Sequence, residues 1–496
     1  MKSFRVLPFD QKRQCLSKLF EKIFAKNFCF YQQAVPQRPF IVTPKATTTM
    51  QHSRPDPVDE VLPPGMLFTF GLQHALVMYS GTVAVPLIFA ATLGMDMGQT
   101  ITLINSGLMT SGVATIIQTV GIGKIGSRLP IVQGSSFVTL ASMLMIGQAY
   151  GTSAIFGAII GAGGCTLVLA PALGRLMRFF PPVAIGCLLT VIGLTLIPVA
   201  GVWLGGGTPS DAAFGATPNL LLGGVTMAVT LAVYAMGSGF VSNISVLLGL
   251  IVGSLIALAC GMGHFQAVHD APWFALSMPM AFGVPTFHLV PVVIMTLTML
   301  VILAETTGNC IAVGRLVERP TDEETLIAAF RADGLSTMLG GVFNSFPYNA
   351  FTQNTGLIAM TNIRSRFVVA AAGVVLIVLG LFPKLGAVIA AMPAPVLGGC
   401  ALVMFGMTAM GGIRELSHVR FDGTRNGMIA AVSMGLGMLP MACPTLFAHT
   451  SGLARLFLGN GVFLCVSSAV VLNLLIGEKI PTLEEELDPA RARQAP

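Results

Sequence analysis

The chain has 496 residues, of which 54% are hydrophobic and 10% are charged, and its formal net charge is +6 at pH 7. Soluble domains carry about 25% charged residues, so this composition excludes a soluble globular protein and indicates that most of the chain contacts lipid. The excess of positive charge does not indicate a nucleic-acid partner. The Lys and Arg residues lie in short segments between apolar runs, where they set the orientation of a membrane protein.

The first part of the chain, residues 1–57, holds no apolar run long enough to span a bilayer, and it is predicted to be a cytoplasmic tail. Its basic residues favour a weak amphipathic helix at residues 16–28 on the inner membrane surface. An equally good interpretation is that translation starts at Met50. The segment lacks the pattern of a cleavable secretory signal.

Fourteen apolar segments follow, and a spanning helix needs about 20 such residues. The ninth and tenth are short and polar, and they are broken by Gly and Pro. Arg or Lys residues follow every second segment, which predicts that those loops and both termini face the cytoplasm; Lys384 and Arg455 are exceptions. The predicted spans lie near residues 66–92, 97–119, 130–148, 152–175, 181–200, 218–236, 240–262, 287–313, 325–343, 345–361, 366–383, 386–411, 426–443 and 456–476.

Two segments of the chain repeat one pattern. The run PVAIGCLLTVIGLT begins at Pro182 and PVLGGCALVMFGMT at Pro395, an offset of 213 residues, and seven of their fourteen positions are identical. The repeat aligns span five with span twelve and predicts two sevenfold halves, 58–262 and 263–478, followed by a cytoplasmic tail, 479–496. Because each half has an odd number of spans, the second half is predicted to be inverted, as in many secondary transporters.

A proline precedes a polar run at the start of span three and again at the start of span ten. Pro130 begins the first run and Pro347 the second. Non-helical backbone at membrane depth is tolerated only where protein or a water-filled cavity satisfies it, so we expect two short extended segments that face each other at mid-membrane. The alternative is that these side chains make ordinary interhelical hydrogen bonds. The polar residues are Gln133, Ser135, Ser136, Asn349, Thr352, Gln353 and Asn354.

Three ionisable residues stand out inside predicted spans, where charge is costly and by default indicates function. Glu305 follows more than a dozen mostly apolar residues and is the strongest candidate. Asp333 is a second candidate, with pairing to Arg331 at the membrane interface as the alternative. His74 is a candidate for substrate contact, with holding helices together as the alternative.

Five short motifs occur in order along these spans. They are QH, GSSF, ETTG, ADG and QNTGLIAMTN, which begin at residues 73, 134, 305, 332 and 353. The set resembles the nucleobase–ascorbate transporters, also called the nucleobase:cation symporter-2 family, over residues 58–478. Gln353 favours the purine branch of xanthine and uric acid permeases, because uracil carriers of the family tend to have Glu there. Asn309 stands where xanthine carriers often have Asp, and Asn362 replaces the usual Arg, Lys or Gly.

The resemblance implies a fold class: an all-α polytopic membrane protein with fourteen transmembrane segments in two inverted repeats. A core domain would comprise spans one to four and eight to eleven. A gate domain would comprise spans five to seven and twelve to fourteen. Members of the family that resemble this chain pair as homodimers and move the core against the gate.

The resemblance also implies roles for individual side chains. Glu305 and Gln353 would hold the base, since a carboxylate accepts ring N–H groups while a Gln amide both donates and accepts. Phe137 would stack on the base and donate its backbone amide. The other implied residues bind or shape the pocket (Ser136, Asn354, Asn309) or support proton coupling together with Glu305 (Asp333, His74).

The sequence therefore predicts a proton-coupled symporter for xanthine or uric acid in the cell inner membrane. On the same fold, the alternative is a uracil, guanine or ascorbate carrier. From a different class, the alternative is an anion exchanger or channel of similar sevenfold architecture. An enzyme is not expected, because the sequence has no metal-ligand cluster, GxSxG or phosphate-cradling loop, and no cofactor is predicted.

Overall fold

The computed structural model describes residues 56–176, 182–207, 209–237, 239–262, 266–422, 424–447, 449–450, 454 and 457–477. The predicted surface helix at residues 16–28 and the predicted tail at residues 479–496 lie outside the described residues. The described chain is mostly α-helical, as the apolar segments predict.

The helices are named here in chain order. The first half contains α1 (Pro64–Leu93), α2 (Met97–Val120), α3 (Leu140–Tyr150), α4 (Thr152–Leu176), α5 (Pro182–Thr195), α6 (Ile197–Leu204), α7 (Thr217–Met236), α8 (Phe240–Asn243) and α9 (Ser245–Ala259). The second half contains α10 (Gln266–Asp270), α11 (Leu289–Val317), α12 (Glu323–Val342), α13 (Thr352–Thr361), α14 (Arg366–Gly380), α15 (Pro383–Ala390), α16 (Ala394–Leu416), α17 (Asn426–Ala442) and α18 (Gly461–Ile476). Two strands, β1 (Gln133–Ser135) and β2 (Tyr348–Ala350), and two 3-10 turns, Pro57–Asp59 and Phe137–Thr139, complete the described elements.

Several helices have the length and apolar composition of membrane spans. Within the described ranges seven qualify: α1, α2, α4, α5 joined to α6, α7, α11 and α16. The pair α14 and α15 qualifies together, although it is bent by 79°. Shorter apolar helices occupy other predicted spans, so the count of fourteen stays a prediction.

Two details of the predicted spans are wrong. The ninth is one uninterrupted helix, α12, because its glycines serve helix packing; a methyl group at Gly334 would lie 2.7 Å from the backbone nitrogen of Leu167. The boundary between the eleventh and twelfth also differs. Pro383 begins the separate helix α15 and Pro393 precedes α16, and proline, which lacks an N–H, favours the first turn of a helix.

The two predicted extended segments are observed as β1 and β2, which pair in antiparallel register with Gly134 opposite Asn349. Two further backbone bonds extend the pairing: Phe351 N donates to Val132 O and Ser136 N donates to Pro347 O, each at 2.9 Å. All six strand residues are buried. Each strand is followed by a helix start, the Phe137–Thr139 turn after β1 and α13 after β2.

Two matching helix crossings lie beside the strand pair. Helix α2 packs against α14 and contacts β1, while α12 packs against α4 and contacts β2. A glycine pair lies at each crossing: a methyl group at Gly373 would lie 2.7 Å from Gly112 O, and one at Gly163 would lie 2.7 Å from Gly334 O. Only glycine therefore permits these close approaches.

The repeated sequence runs occupy matching positions in a second group of helices. In α5, Cys187 is buried in a cluster formed with α17 and α18. In α16, Cys400 is buried in a cluster formed with α7 and α9. Each run thus packs on helices from the other half of the chain.

A short segment before α1 is fastened to one end of this helix assembly. Val58 is fully buried. Asp59 pairs with Arg366 at 2.5 Å and with Arg319 at 3.4 Å. Arg366 also donates to two carbonyl oxygens at the end of α2. We call this end of the molecule, with Arg319 and Arg366, the basic end.

A chain that begins at Met50 is expected to insert and to retain its activity, because it keeps Val58 and Asp59. A chain that begins at residue 61 loses the buried side chain, whose transfer from water stabilises by about 1.5–3 kcal/mol, and should have a lower thermal midpoint. The measurement compares membrane level, activity and thermal unfolding of both with the full chain. Loss of activity by the Met50 chain at equal membrane level would contradict the prediction.

Candidate functional site

Glu305 lies on α11 directly beside strand β2. Its side chain is half-buried, and Asn349 Nδ2 donates to its Oε2 at 2.5 Å. One turn later, the buried Asn309 donates through Nδ2 to Ala350 O at 3.0 Å and to Glu305 O at 3.3 Å. Strand β2 is therefore fixed to the part of α11 that carries the carboxyl group. This leaves Glu305 Oε1 without a partner among the described residues.

Asp333 is fully buried on α12 and joins three elements. Gln133 Nε2, from β1, donates to its Oδ1 at 2.9 Å. Thr306 Oγ1, from α11, donates to its Oδ2 at 2.7 Å. The alternative that Asp333 pairs with Arg331 is wrong, because Arg331 donates instead to the carbonyl of Lys124.

His74 and Asn354 form a second polar link, between α1 and α13. Asn354 Nδ2 donates to His74 O at 2.9 Å and lies 3.1 Å from His74 Nδ1. Both side chains are buried. This contact agrees with the interpretation that His74 holds helices together.

The remaining predicted residues lie at the two helix starts. Ser136 is buried, and its Oγ accepts from Val138 N. The Phe137 ring is half-buried and meets Phe405 of α16 edge-on, with centroids 5.7 Å apart. Gln353, in the first turn of α13, is exposed and makes no hydrogen bond to another described residue. The structure thus connects Glu305 with Asn309 and His74 with Asn354, whereas the Gln353 side chain has no hydrogen-bond partner among the described residues.

Unpaired polar groups surround the strand pair. The backbone N–H groups of Phe137 and Gln353, at the starts of their helices, have no acceptor among the described residues. Helix N-termini attract negative charge and hydrogen-bond acceptors. Because buried polar atoms are normally hydrogen-bonded, a polar ligand or water is expected here. In the strands and the elements that contact them, the buried oxygens without a described partner include Gln133 Oε1, Ser135 Oγ, Asn349 Oδ1, Asn309 Oδ1, Asn354 Oδ1 and Thr82 Oγ1.

The Phe351 ring, between β2 and α13, packs the strand pair against α1. It lies so close to Gly134 that a Cβ there would overlap two ring carbons, and a Cβ at Gly81 would lie 2.7 Å from the ring. Gly81 of α1 and Gly134 of β1 therefore leave the space that the Phe351 ring occupies.

Replacing Gly134 with Ala is expected to displace Phe351 and to lower the thermal midpoint of the purified protein, since overpacking typically costs about 1–3 kcal/mol. The matched control is Gly224→Ala in α7, where the added methyl group meets nothing within 4 Å. The check is thermal unfolding of both proteins in the same detergent. Equal midpoints for Gly134→Ala and the unchanged chain would contradict this packing.

Comparison with known proteins identifies the family. A family model described as "Permease family" matches residues 65–446. The chain belongs to the nucleobase–ascorbate transporter family. Members of this family are permeases, and the matched residues include most of the described helices.

Named members of the nucleobase–ascorbate transporter family resemble the chain over nearly their whole length. The uric acid transporter UacT of Escherichia coli strain K12 is 40% identical over 84% of this chain and 88% of its own. The uric acid permease PucK of Bacillus subtilis strain 168 is 41% identical over 84% and 96%. The xanthine permease of the same strain is 37% identical over 87% and 99%.

Solved structures show the same fold at low identity. The transmembrane domain of the cyanobacterial bicarbonate transporter BicA has a TM-score of 0.54 at 15% identity, covering 84% of this chain and 97% of that domain. The murine anion transporter Slc26a9 in its inward-facing state has a TM-score of 0.57 at 14% identity, covering 88% and 77%. At such identities the likeness concerns the fold of this family member alone.

Some site residues of this family member were missed from sequence. Thr306 stands inside the ETTG motif, yet nothing in the sequence indicates that it donates to Asp333. Nothing in the sequence distinguishes Phe405 as a site residue, because it lies among other apolar residues of a predicted span. Hydroxyl groups that hold the strands could have been found, since they recur at helical spacing along α2: Thr110 contacts the Tyr348 hydroxyl, while Ser111 and Thr115 contact the Gln133 backbone.

Proposed function

We propose that this chain is a proton-coupled transporter that takes up a purine base, xanthine or uric acid, by alternating access. The observation that carries the proposal is the position of Glu305, a half-buried carboxyl group held by Asn349 beside a strand pair. Relatives at 37–41% identity are named for uric acid and xanthine. The geometry of this site supports a mechanism for base recognition and proton coupling.

Recognition of the base would use complementary hydrogen bonds. A purine dione is planar and alternates ring N–H donors with carbonyl acceptors. Glu305 has an oxygen available to accept from a ring N–H, and the amide of Gln353 can donate to a carbonyl while accepting from a neighbouring N–H. The unpaired backbone N–H groups of Phe137 and Gln353 would donate to carbonyl oxygens, and the Phe137 ring would stack on the base.

Proton coupling is supported by two carboxyl groups without counter-ions. Neither Glu305 nor Asp333 forms a salt bridge with a described Lys or Arg. A carboxylate in an apolar interior without a counter-ion is costly, and protonation removes that cost. Glu305 would carry the proton, and Asp333 would support it by holding β1 through Gln133.

Alternating access by two inverted repeats, 58–262 and 263–478, is supported by the matching crossings. Gly112 on α2 meets Gly373 on α14, and Gly334 on α12 meets Gly163 on α4. Under the proposed repeat α2 corresponds to α12 and α4 to α14, so each crossing is the image of the other. The exchanged packing of Cys187 and Cys400 follows the same symmetry.

Under the proposed division into core and gate, the site lies at the boundary between two domains that move relative to each other. We assign spans one to four and eight to eleven to the core and the other six spans to the gate. Glu305 and Gln353 would then move with the core. The contact of Phe137 with Phe405 would cross the boundary, because Phe405 lies on α16 of the gate. The basic end would face the cytoplasm, and two copies would form a homodimer.

Uptake is expected to follow an inward proton gradient and to collapse when a protonophore is added, because Glu305 must pass through a neutral state in each cycle. The measurement is uptake of labelled xanthine in intact cells with and without protonophore, and with sodium replaced by choline. Uptake that survives the protonophore but requires sodium would contradict proton coupling.

The experiment that tests the substrate is uptake of labelled xanthine, urate, guanine, uracil and ascorbate in cells that lack their own carriers. Xanthine or urate should enter faster than in cells with empty vector. Uracil, guanine or ascorbate as the preferred substrate would favour the alternative carriers on this fold. Transport of bicarbonate without any nucleobase would favour the anion-transporter class.

A further inference from the structure

Lys384 breaks the alternation of basic loops, and the structure gives its role. Its Nζ donates to Val268 O at 2.9 Å and to His269 O at 3.2 Å. The same ammonium group lies 4.9 Å from the centroid of the Trp273 ring, within the range of a cation–π contact. Lys384 therefore fixes the chain that leads into residues 271–289, which we call the outer belt.

The outer belt exposes eight large apolar side chains. No Asp, Glu, Lys or Arg occurs between Asp270 and Glu305. Monomeric soluble proteins rarely expose apolar patches of more than a few hundred Å², and larger patches mark interaction or membrane surfaces. The belt side chains that are at least 44% exposed are Trp273, Phe274, Leu276, Met278, Met280, Val284, Phe287 and Leu289.

The backbone of the outer belt is irregular but held at three points. Ala275 N donates to Leu381 O at 3.1 Å, Met280 N to Val342 O at 2.8 Å, and Thr286 N to Ser153 O at 3.2 Å. These acceptors lie beside the ends of α14, α12 and α4 that are remote from the basic end. The belt is thus a fixed part of the surface, and its backbone groups are partly satisfied by protein, as irregular backbone at a membrane requires.

The exposed belt continues into apolar surface on the neighbouring helices. On α14, Val374 and Val378 are more than 40% exposed. The ring of Tyr150, at the end of α3, lies 5.4 Å from the ring of His288 in the belt. Trp and Tyr concentrate where lipid headgroups meet acyl chains, because their rings are apolar with a polar edge.

We propose that the outer belt inserts into the headgroup–acyl boundary of the bilayer at the end opposite the basic end. Its ligand is lipid, since the belt itself carries no Asp, Glu, Lys or Arg and leads directly into α11, a helix long and apolar enough to cross the membrane. The belt anchors α4, α12 and α14 to this leaflet. The proposal rests on membrane location alone and holds whichever substrate the protein carries.

The chain has two tryptophans, which makes the test direct. Trp203 is 5% exposed and Trp273 is 73% exposed. The Trp203→Phe protein, reconstituted in phosphatidylcholine nanodiscs, reports on Trp273 alone. We expect loss of its fluorescence with lipid that carries a spin label close to the headgroup, less loss with a label near the chain end, and protection from aqueous iodide.

Two results would overturn the proposal. Iodide quenching equal to that of free tryptophan, without quenching by spin-labelled lipid, would mean that the outer belt lies in water. Protection from both quenchers would mean that protein covers it, whether a second copy or another partner.

The Trp273→Phe protein serves as the control, because it leaves only the buried Trp203 and should respond little to either quencher. If Trp203→Phe does not fold, the difference between the unchanged chain and Trp273→Phe gives the signal of Trp273. The same three outcomes then apply to that difference.

Discussion

Replacing Glu305 with Gln is expected to abolish uptake of the purine base while the protein stays in the membrane at its normal level. The amide keeps the size of the side chain and one acceptor, but it loses the charge and the ability to take up a proton. A hydrogen bond to a charged group is worth about 1.5–3 kcal/mol, which corresponds to about a 10- to 150-fold loss in binding. Loss of proton coupling would reduce uptake further than the loss in binding alone.

The matched control for this substitution is Glu324→Gln. Glu324 is exposed in the first turn of α12, so it tests the removal of a carboxylate away from the site. The measurement is initial uptake of labelled xanthine, normalised to the amount of protein in the membrane. Uptake by Glu305→Gln that equals uptake by the control would remove Glu305 from the mechanism.

Replacing Gln353 with Glu is expected to weaken binding of xanthine or urate about 5- to 150-fold. The exposed amide of Gln353 can donate to a purine carbonyl, whereas an ionised Glu can only accept. When the bound base covers this side chain, the substitution leaves a carbonyl facing a carboxylate, and an unpaired buried polar group costs about 1–3 kcal/mol. The fold should be unaffected, because the side chains are nearly the same size and Gln353 makes no hydrogen bond within the described residues.

The shorter variant Gln353→Asn separates the effect of the hydrogen-bonding groups from the effect of side-chain length. It keeps the donor and the acceptor and withdraws them by one methylene group, so it should weaken binding less than Gln353→Glu. The measurement is competition of labelled xanthine uptake by a panel of purines and uracil for each variant. An unchanged inhibition profile for Gln353→Glu would mean that this side chain does not contact the base.

The strand pair was predictable because its signal lies in the sequence itself. Pro130 and Pro347 begin polar runs at similar offsets in the two halves, and such runs at membrane depth favour irregular backbone. The structure confirms the extended segments and gives their register, with Gly134 opposite Asn349. The packing of the Phe351 ring against Gly134 and Gly81 was not predictable, because no periodicity in the sequence indicates it.

The partners of Asp333 were not predictable, for a physical reason. Gln133 lies 200 residues away and Thr306 lies 27 residues away, and only the packing of α11, α12 and β1 brings them together. The sequence offered the neighbouring Arg331 instead. Within a helix, however, side chains two positions apart point in different directions, so that pairing was geometrically unfavourable.

The sequence did not predict the bend between α14 and α15, because hydropathy carries no information about the direction in which the chain runs. Residues 367–411 are almost continuously apolar apart from Lys384, and the 79° turn leaves their composition unchanged. Lys384 was one of the two visible exceptions to the charge pattern. Its contacts with Val268 and His269 were beyond the reach of the sequence, since they depend on that turn.

The most direct test of the account is uptake by the purified protein in liposomes with an imposed inward proton gradient. Labelled xanthine or urate should accumulate above its external concentration, and the accumulation should vanish with a protonophore and with Glu305→Gln. Uptake no greater than in protein-free liposomes for every purine, with bicarbonate accumulated instead, would contradict the proposal that this family member carries purine bases.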